Sequence, residues 1–217
     1  MKEEAAHSGE ADRAASLLEG QKRILQSIHD DRPLSEVLAL ICTVVEGQAP
    51  GMMCSVLVVD EAARRLRHGA APGLPADYNE AIDGVPIGPR VGSCGAAAYA
   101  GTPCVVEDIS THPNWAEFRA LAFERHGLRA CWSTPVCAFD GKVLATFAMY
   151  YREPKRPSAE DRKLTDFTAH LVAIAINRQR DRDRLARRAG LGRRANAPAE
   201  PARSRFRLQD RGWVRRA

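Results

Sequence analysis

The sequence predicts an α+β fold in which a layer of helices covers an antiparallel sheet, and three observations carry that prediction. Apolar residues recur at helical spacing through residues 11–46. From Met53 onward the pattern turns β-branched, and Asp140-Gly141 separates two strand-like runs as a hairpin turn does. Near Ser158 the helical period returns and closes the domain. Helices at both ends of a block of strands, without regular β-α alternation, point to α+β and away from a parallel sheet.

The elements follow in order. Ala15, Leu18, Ile24 and Ile28, with Leu17 and Leu25 beside them, form a helical stripe over about residues 11–28. A second helix over 34–46 is entered through Asp31-Arg32-Pro33 and buries Leu34, Val37, Leu38, Ile41, Val44 and Val45. Strands follow at 53–60 and 64–70, joined by the short Asp60-Glu61-Ala62-Ala63. A short helix is expected over 74–82 and a small strand over 85–87, which Pro86 and Pro89 confine to an edge or a loop. Ser93 is placed to cap a helix over 94–99 that ends at Gly101-Thr102-Pro103, ahead of a strand over 104–107. Asn114 is placed to cap a helix over 115–124, stopped by Gly127.

The hairpin over 129–138 and 142–151 needs positive φ in its Asp140-Gly141 turn. In its second strand Val143, Ala145, Phe147 and Met149 share one face and Leu144, Thr146, Ala148 and Tyr150 the other, so both faces are covered. Ser158 and Asp161 form a variant capping box for the last helix. Its seam of Leu164, Phe167, Leu171 and Ile174 suits packing on the sheet or on a second copy, and it fails at Arg178 and Asp181.

A chain of 217 residues accommodates one domain with appendages. Residues 1–13 are expected to be a disordered N-terminus, 14–180 the domain, and 181–217 an Arg-rich disordered tail. No run of about 18 apolar residues occurs and the N-terminus is charged, so the expectation is no membrane insertion, no signal peptide and a cytoplasmic location. The six cysteines include no C-x-x-C pair, which favours reduced thiols over a disulfide framework or a zinc site. Charge divides unevenly: residues 180–217 hold 13 Arg and 4 acids, net +9, leaving 19 basic and 23 acidic groups, net −4, in the rest. Only Phe206 and Trp213 interleave aromatics in the tail, so nucleic acid is not the expected partner and solvated disorder is. The Arg/Ala/Gly/Pro monotony beyond Leu185 is equally what a GC-rich gene yields out of frame.

The runs VGSCGAAAYAGTPCVVEDIS, HGLRACWSTPV and DGKVLATFAMYYREP, followed by a long amphipathic helix, resemble a GAF domain of bacterial sensory proteins over roughly residues 17–177. The resemblance implies a GAF-like six-stranded antiparallel sheet. The terminal helices would lie on one face and a ligand-pocket layer under residues 72–93 and 108–127 on the other. It also implies a noncatalytic regulatory module in signal transduction that binds a small molecule or senses redox state and signals through the terminal helices of a homodimer. No kinase, cyclase, phosphodiesterase or transcriptional module is legible in the sequence, so a separate output protein is the expected partner.

Cys94, in G-S-C-G at a helix start, is the sharpest candidate, because unpaired N–H groups there favour a thiolate. The other reading is a small inert core thiol. Cys131 is its candidate partner in the alternative function, a thiol-based reductase of small oxidised substrates similar to the free methionine sulfoxide reductases. Those enzymes share the G-x-C-G turn, but their C-D-x-x-S-N-S-E type motif has no counterpart here. The bilin-attaching cysteine of phytochrome-type GAF domains aligns with Ala120, and no N-K-F-D-E type motif of cyclic-nucleotide-binding members occurs.

For an organic ligand, Trp115, Phe118 and Trp132 offer an aromatic wall and Arg119 and Arg129 cationic anchors, or the aromatics are ordinary core. Asp108 either orients a ligand or caps a turn. His112, His126, Cys94 and Cys131 lack a familiar metal-ligand spacing, so no metal is assigned, and the sequence names no cofactor.

Overall fold

A computed structural model of the chain describes residues 2–195. Helix α1 (Lys2–His29) and α2 (Leu34–Glu46) precede β1 (Met53–Asp60) and β2 (Arg65–Ala70). Helix α3 (Ala76–Ile82), β3 (Val85–Pro86), α4 (Gly92–Ala100) and β4 (Cys104–Val106) follow. A 3₁₀ turn (Pro113–Trp115) and a π-helical turn (Ala120–Arg125) lead into β5 (Ala130–Cys137), β6 (Val143–Tyr151) and α5 (Ala159–Ala195). The six strands form one sheet in the order β3-β2-β1-β6-β5-β4, with every neighbouring pair antiparallel. No helix among the described residues is long and apolar enough to cross a membrane.

Strand alternation gives each central strand two apolar faces and the sheet two cores. On one face Leu38, Ile41 and Val45 of α2, Ile24 of α1, and Val172 and Ile176 of α5 pack on Val56, Phe147 and Met149. On the other face Leu57, Leu66, Cys131, Ala148 and Tyr150 lie beneath α3, α4 and the turns between β4 and β5. Leu144 departs from the expected alternation and joins the helix-side core. The register skips it, pairing Val136 with Ala145 and Cys137 with Val143, so it is the extra residue of a β-bulge and turns with its neighbour Ala145.

The hairpin turn has the positive φ expected of it, 82° at Gly141, and Asp140 Oδ1 accepts from Lys142 N at 3.1 Å. Ser158 and Asp161 cap α5 reciprocally: Ser158 N donates to Asp161 Oδ2 at 2.9 Å and Asp161 N to Ser158 Oγ at 3.1 Å.

Three local expectations change. Helix α4 starts at Gly92 and receives no side-chain cap, because the Ser93 hydroxyl is turned into the sheet instead. The helix expected over 115–124 is a 3₁₀ turn followed by a π-helical turn, and His112 Nδ1, not Asn114, caps the first by accepting from Asn114 N at 3.2 Å. The seam on α5 is split. Leu171 is buried in the domain's own core, while Phe167 and Ile174 are 36% and 48% exposed.

Helix α1 extends upstream of residue 14. Helix α5 continues past Arg178 and Asp181 to Ala195, since Arg, Ala and Leu favour helix without needing a core. The first compact unit of the chain ends at Asp181, and the described part of the second, residues 182–195, is helical. The rest of the expected disordered tail, 196–217, lies outside the described residues.

Candidate functional site

The site lies where the first turn of α4 crosses the sheet. Gly95 lets the helix come this close: a Cβ there would stand 2.9 Å from the Pro86 carbonyl oxygen and 2.7 Å from Val91 Cβ. Ser93 fixes the crossing. Its hydroxyl donates to the Cys131 carbonyl at 3.0 Å and accepts from Trp115 Nε1 at 3.2 Å, joining α4, β5 and the 3₁₀ turn through one buried oxygen.

Beside this junction is a cavity of about 30 Å³, room for about one water. Leu57, Ile82 and Val85 form its apolar wall, Tyr78, Tyr150, Trp115 and Phe118 its aromatic wall, and Gly92, Ser93 and Cys94 its edge along α4. None of these residues carries a fixed charge. The aromatic rings meet edge to face, Tyr78 with Tyr150 at 6.2 Å and Trp115 with Phe118 at 6.4 Å. A larger open hollow of about 490 Å³ lies along α1 and α2, but Glu19, Lys22, Arg23, Arg32 and Glu36 line it, which makes it a solvated polar surface.

Cys94 is 7% exposed at the cavity edge. Its Sγ lies 3.7 Å from the Tyr150 hydroxyl, which in turn accepts from Ser55 Oγ at 3.3 Å. Neighbouring polar groups, Cys131 first and then Ser133, Tyr150 and Thr146, outweigh burial and bring the Cys94 thiol down to about 7. Ser133 Oγ and Thr146 Oγ1 are buried without a hydrogen-bond partner among the described residues. Cys131 moves the opposite way. Burial, then the adjacent Cys94, push its thiol well above the ordinary range.

Trp115 and Phe118 wall the cavity, and Cys131 lies beneath Cys94. Asp108 and Arg129 are brought together elsewhere, with Arg129 Nη2 3.1 Å from Asp108 Oδ2. Asp108 Oδ1 also accepts from Ser110 N at 2.9 Å and Ser110 Oγ at 2.6 Å. Arg129, then Ser110, hold the Asp108 carboxyl down at about 2. The Arg129 guanidinium lies 5.0 Å over the Phe123 ring, so this pair braces the segment covering the cavity without entering it. Arg119 is absent from the cavity wall, and its Nε is buried without a partner.

Trp132 does not reach the cavity. Neighbouring residues on a strand face opposite ways, so with Cys131 on the cavity side the Trp132 ring falls in the helix-side core, 4.9 Å from Tyr151, its Nε1 donating to the Lys155 carbonyl at 3.0 Å. Among the described residues no group of three or more His, Cys, Asp or Glu is placed to hold a metal ion. Sequence reasoning missed Tyr78, Tyr150, Ser133 and Thr146. Alternation along β6 puts Thr146 and Tyr150 on one face and held a signal for them; nothing local to Tyr78 foretells its place.

A model of the GAF domain family matches residues 31–177, which takes in every strand and the whole cavity. The methyl sulfide methyltransferase-associated sensor of Methanosarcina acetivorans is 35% identical over 172 residues, covering 79% of this chain. The chain spans only 17% of that sensor's length. In structure the chain is similar to the GAF domain of a phosphoenolpyruvate-protein phosphotransferase from Coxiella burnetii, with a TM-score of 0.63 at 18% identity over 77% of this chain and 97% of that one. It is similar too to the free methionine-R-sulfoxide reductase of Neisseria meningitidis, with a TM-score of 0.61 at 18% identity over 76% and 90%. At such identities the two structures speak for the fold alone. With the family model spanning sheet, cavity and covering turns, the chain belongs to the GAF domain family.

Proposed function

We propose that this GAF domain is a noncatalytic, cytoplasmic sensory module, with domain limits near residues 14 and 180, that binds a small molecule or registers redox change beside Cys94. The signal leaves through α1 and α5 of a homodimer to an output protein. One observation carries the reading: the cavity's walls come from α3, α4, β1, β6 and the 3₁₀ turn, so filling it displaces separate elements against the sheet. The path to the helices is short. Tyr150 faces the cavity, its neighbour Met149 faces the helices, and Met149 Sδ accepts from Thr165 Oγ1 of α5 at 3.2 Å.

Cys94, Trp115 and Phe118 contact the ligand in this reading, with Cys131 beneath and Asp108, Arg119 and Arg129 supporting the cover. Exposed Leu18 and Leu25 on α1 and Phe167 and Ile174 on α5 supply the dimer surface. The similarity to a sensor protein supports the regulatory role. Native mass spectrometry of the purified full chain tests both parts at once: a dimer that retains a small molecule is expected, and a ligand-free monomer at high concentration overturns the reading.

One observation favours a second reading, a thiol-based reductase: Cys94 edges the cavity and a second thiol, Cys131, is buried in the same core next to it. Multiple turnovers of methionine sulfoxide reduction, lost in Cys94→Ser, would establish it in place of the noncatalytic one.

A further inference from the structure

We infer that Cys94 and Cys131 are a dithiol that a small neutral hydroperoxide oxidises to a disulfide, cross-linking the first turn of α4 to β5. The inference rests on the redox form of the function proposed above and names its chemistry. Placement comes first. Ser93 Oγ is bonded to the Cys131 carbonyl at 3.0 Å, which brings the next residue of the helix, Cys94, down onto β5 beside Cys131, and the two thiols share one buried core close enough to influence each other's ionisation. The cavity comes second. It reaches Cys94, is small and has no charged wall, which favours a small neutral oxidant over a bulky, ionic one such as glutathione disulfide.

The third observation is the Tyr150 hydroxyl 3.7 Å from the Cys94 sulfur, with two further buried hydroxyls of the same sheet, Ser133 and Thr146, that have no hydrogen-bond partner among the described residues. A hydroxyl donating to the sulfur stabilises its thiolate, the form that attacks. The remaining buried thiols are set up differently. Cys42 is bonded to the Ala70 carbonyl and Cys54 is fully enclosed in the helix-side core, where burial disfavours both thiolates.

The Cys94 thiolate attacks one oxygen of the hydroperoxide and the O–O bond breaks. The departing alkoxide, or hydroxide from hydrogen peroxide, takes up the proton the thiol released, and Cys94 becomes a sulfenic acid. The Cys131 sulfur then attacks the Cys94 sulfur, the S–O bond breaks, and hydroxide leaves with the Cys131 proton as water. Two thiols and one hydroperoxide thus give a disulfide, an alcohol and water, with two electrons passing from sulfur to oxygen.

The test uses the full chain with Cys137→Ser, which removes an exposed thiol that would react without selection. After treatment with hydrogen peroxide, alkylation and digestion, a Cys94–Cys131 linked peptide is expected, forming about tenfold or more faster than Cys42 or Cys54 is oxidised. Glutathione disulfide at equal concentration should leave Cys94 unmodified. In Cys131→Ser, and in Cys131→Ala should the serine variant not fold, the reaction should stop at a sulfenic acid trapped by dimedone. A Cys94–Cys104 bridge instead, or an unreacted Cys94 under conditions that oxidise Cys104, overturns the inference. If Cys94 is inert while the protein dimerises and retains a small molecule, this chemistry falls and the sensory reading stands. A linked peptide from a protein that is monomeric throughout has the reverse meaning.

Discussion

Ser93 shows how one side chain organises the site. The residue is 1% exposed, and its oxygen holds both the Cys131 carbonyl and the Trp115 indole N–H. Ser93→Ala should destabilise the fold by roughly 1–3 kcal/mol, because the buried Trp115 Nε1 loses its acceptor. Urea denaturation measures this, and a loss below about 0.5 kcal/mol would mean the indole N–H finds another partner. Asp108 makes a second residue-scale prediction. Its carboxyl is lowered from 3.8 to about 2 in the folded state, chiefly by Arg129. A depressed carboxylate contributes stability that is fully present above the unfolded value and is lost as pH falls through the folded one. The contribution should therefore fade between about pH 4 and pH 2, and Arg129→Met should flatten that part of the stability profile. Equal acid sensitivity in both proteins would show that the pair contributes little, as partly exposed pairs often do.

At the scale of elements, α4 decides whether the site exists. It is a short, Ala-rich helix whose first turn is wholly buried against the sheet and β3, an approach that depends on the missing side chain at Gly95. Gly95→Ala places a methyl against backbone, which cannot rotate away, so the helix must lift. A loss of about 1–3 kcal/mol is expected, accompanied by faster alkylation of Cys94 as the junction loosens. Unchanged stability with unchanged alkylation would show that α4 shifts without opening the site. The π-helical turn over 120–125 belongs to the same layer. Its end is held where Gly127 N donates to the Phe123 carbonyl at 2.9 Å, with Gly127 at φ 65°.

For the whole molecule, the terminal helices carry two predictions. Ile174 is exposed whereas Leu171 is core, so Ile174→Glu should convert the proposed dimer to monomer without lowering the melting temperature. Light scattering and a thermal melt read the two quantities separately, and a dimer that survives Ile174→Glu and Leu25→Glu together places the interface elsewhere. Since the sheet and both its cores lie in the compact unit that ends at Asp181, stopping the chain after Arg188 should leave the melt superimposable on that of the full chain. A clear drop would make the removed residues part of the fold.

The local pattern of the chain was enough for most of the scaffold. Strands β1 and β2, the Asp140-Gly141 hairpin, the edge position of Pro86 and the Ser158–Asp161 cap were all legible, because alternation, turn chemistry and capping act between residues a few positions apart. What the local pattern did not contain is which face a side chain takes once a bulge shifts the count, as at Leu144, or which of two adjacent residues, Cys131 or Trp132, looks into the cavity. Nor did it contain the meeting of Tyr78, Ser93, Cys94, Trp115 and Tyr150 at one cavity, or the partnership of Asp108 with Arg129. Those groups lie on different elements, so their encounter depends on how α3, α4 and the turns settle on the sheet. That is a property of long-range packing, and only the tertiary structure decided it.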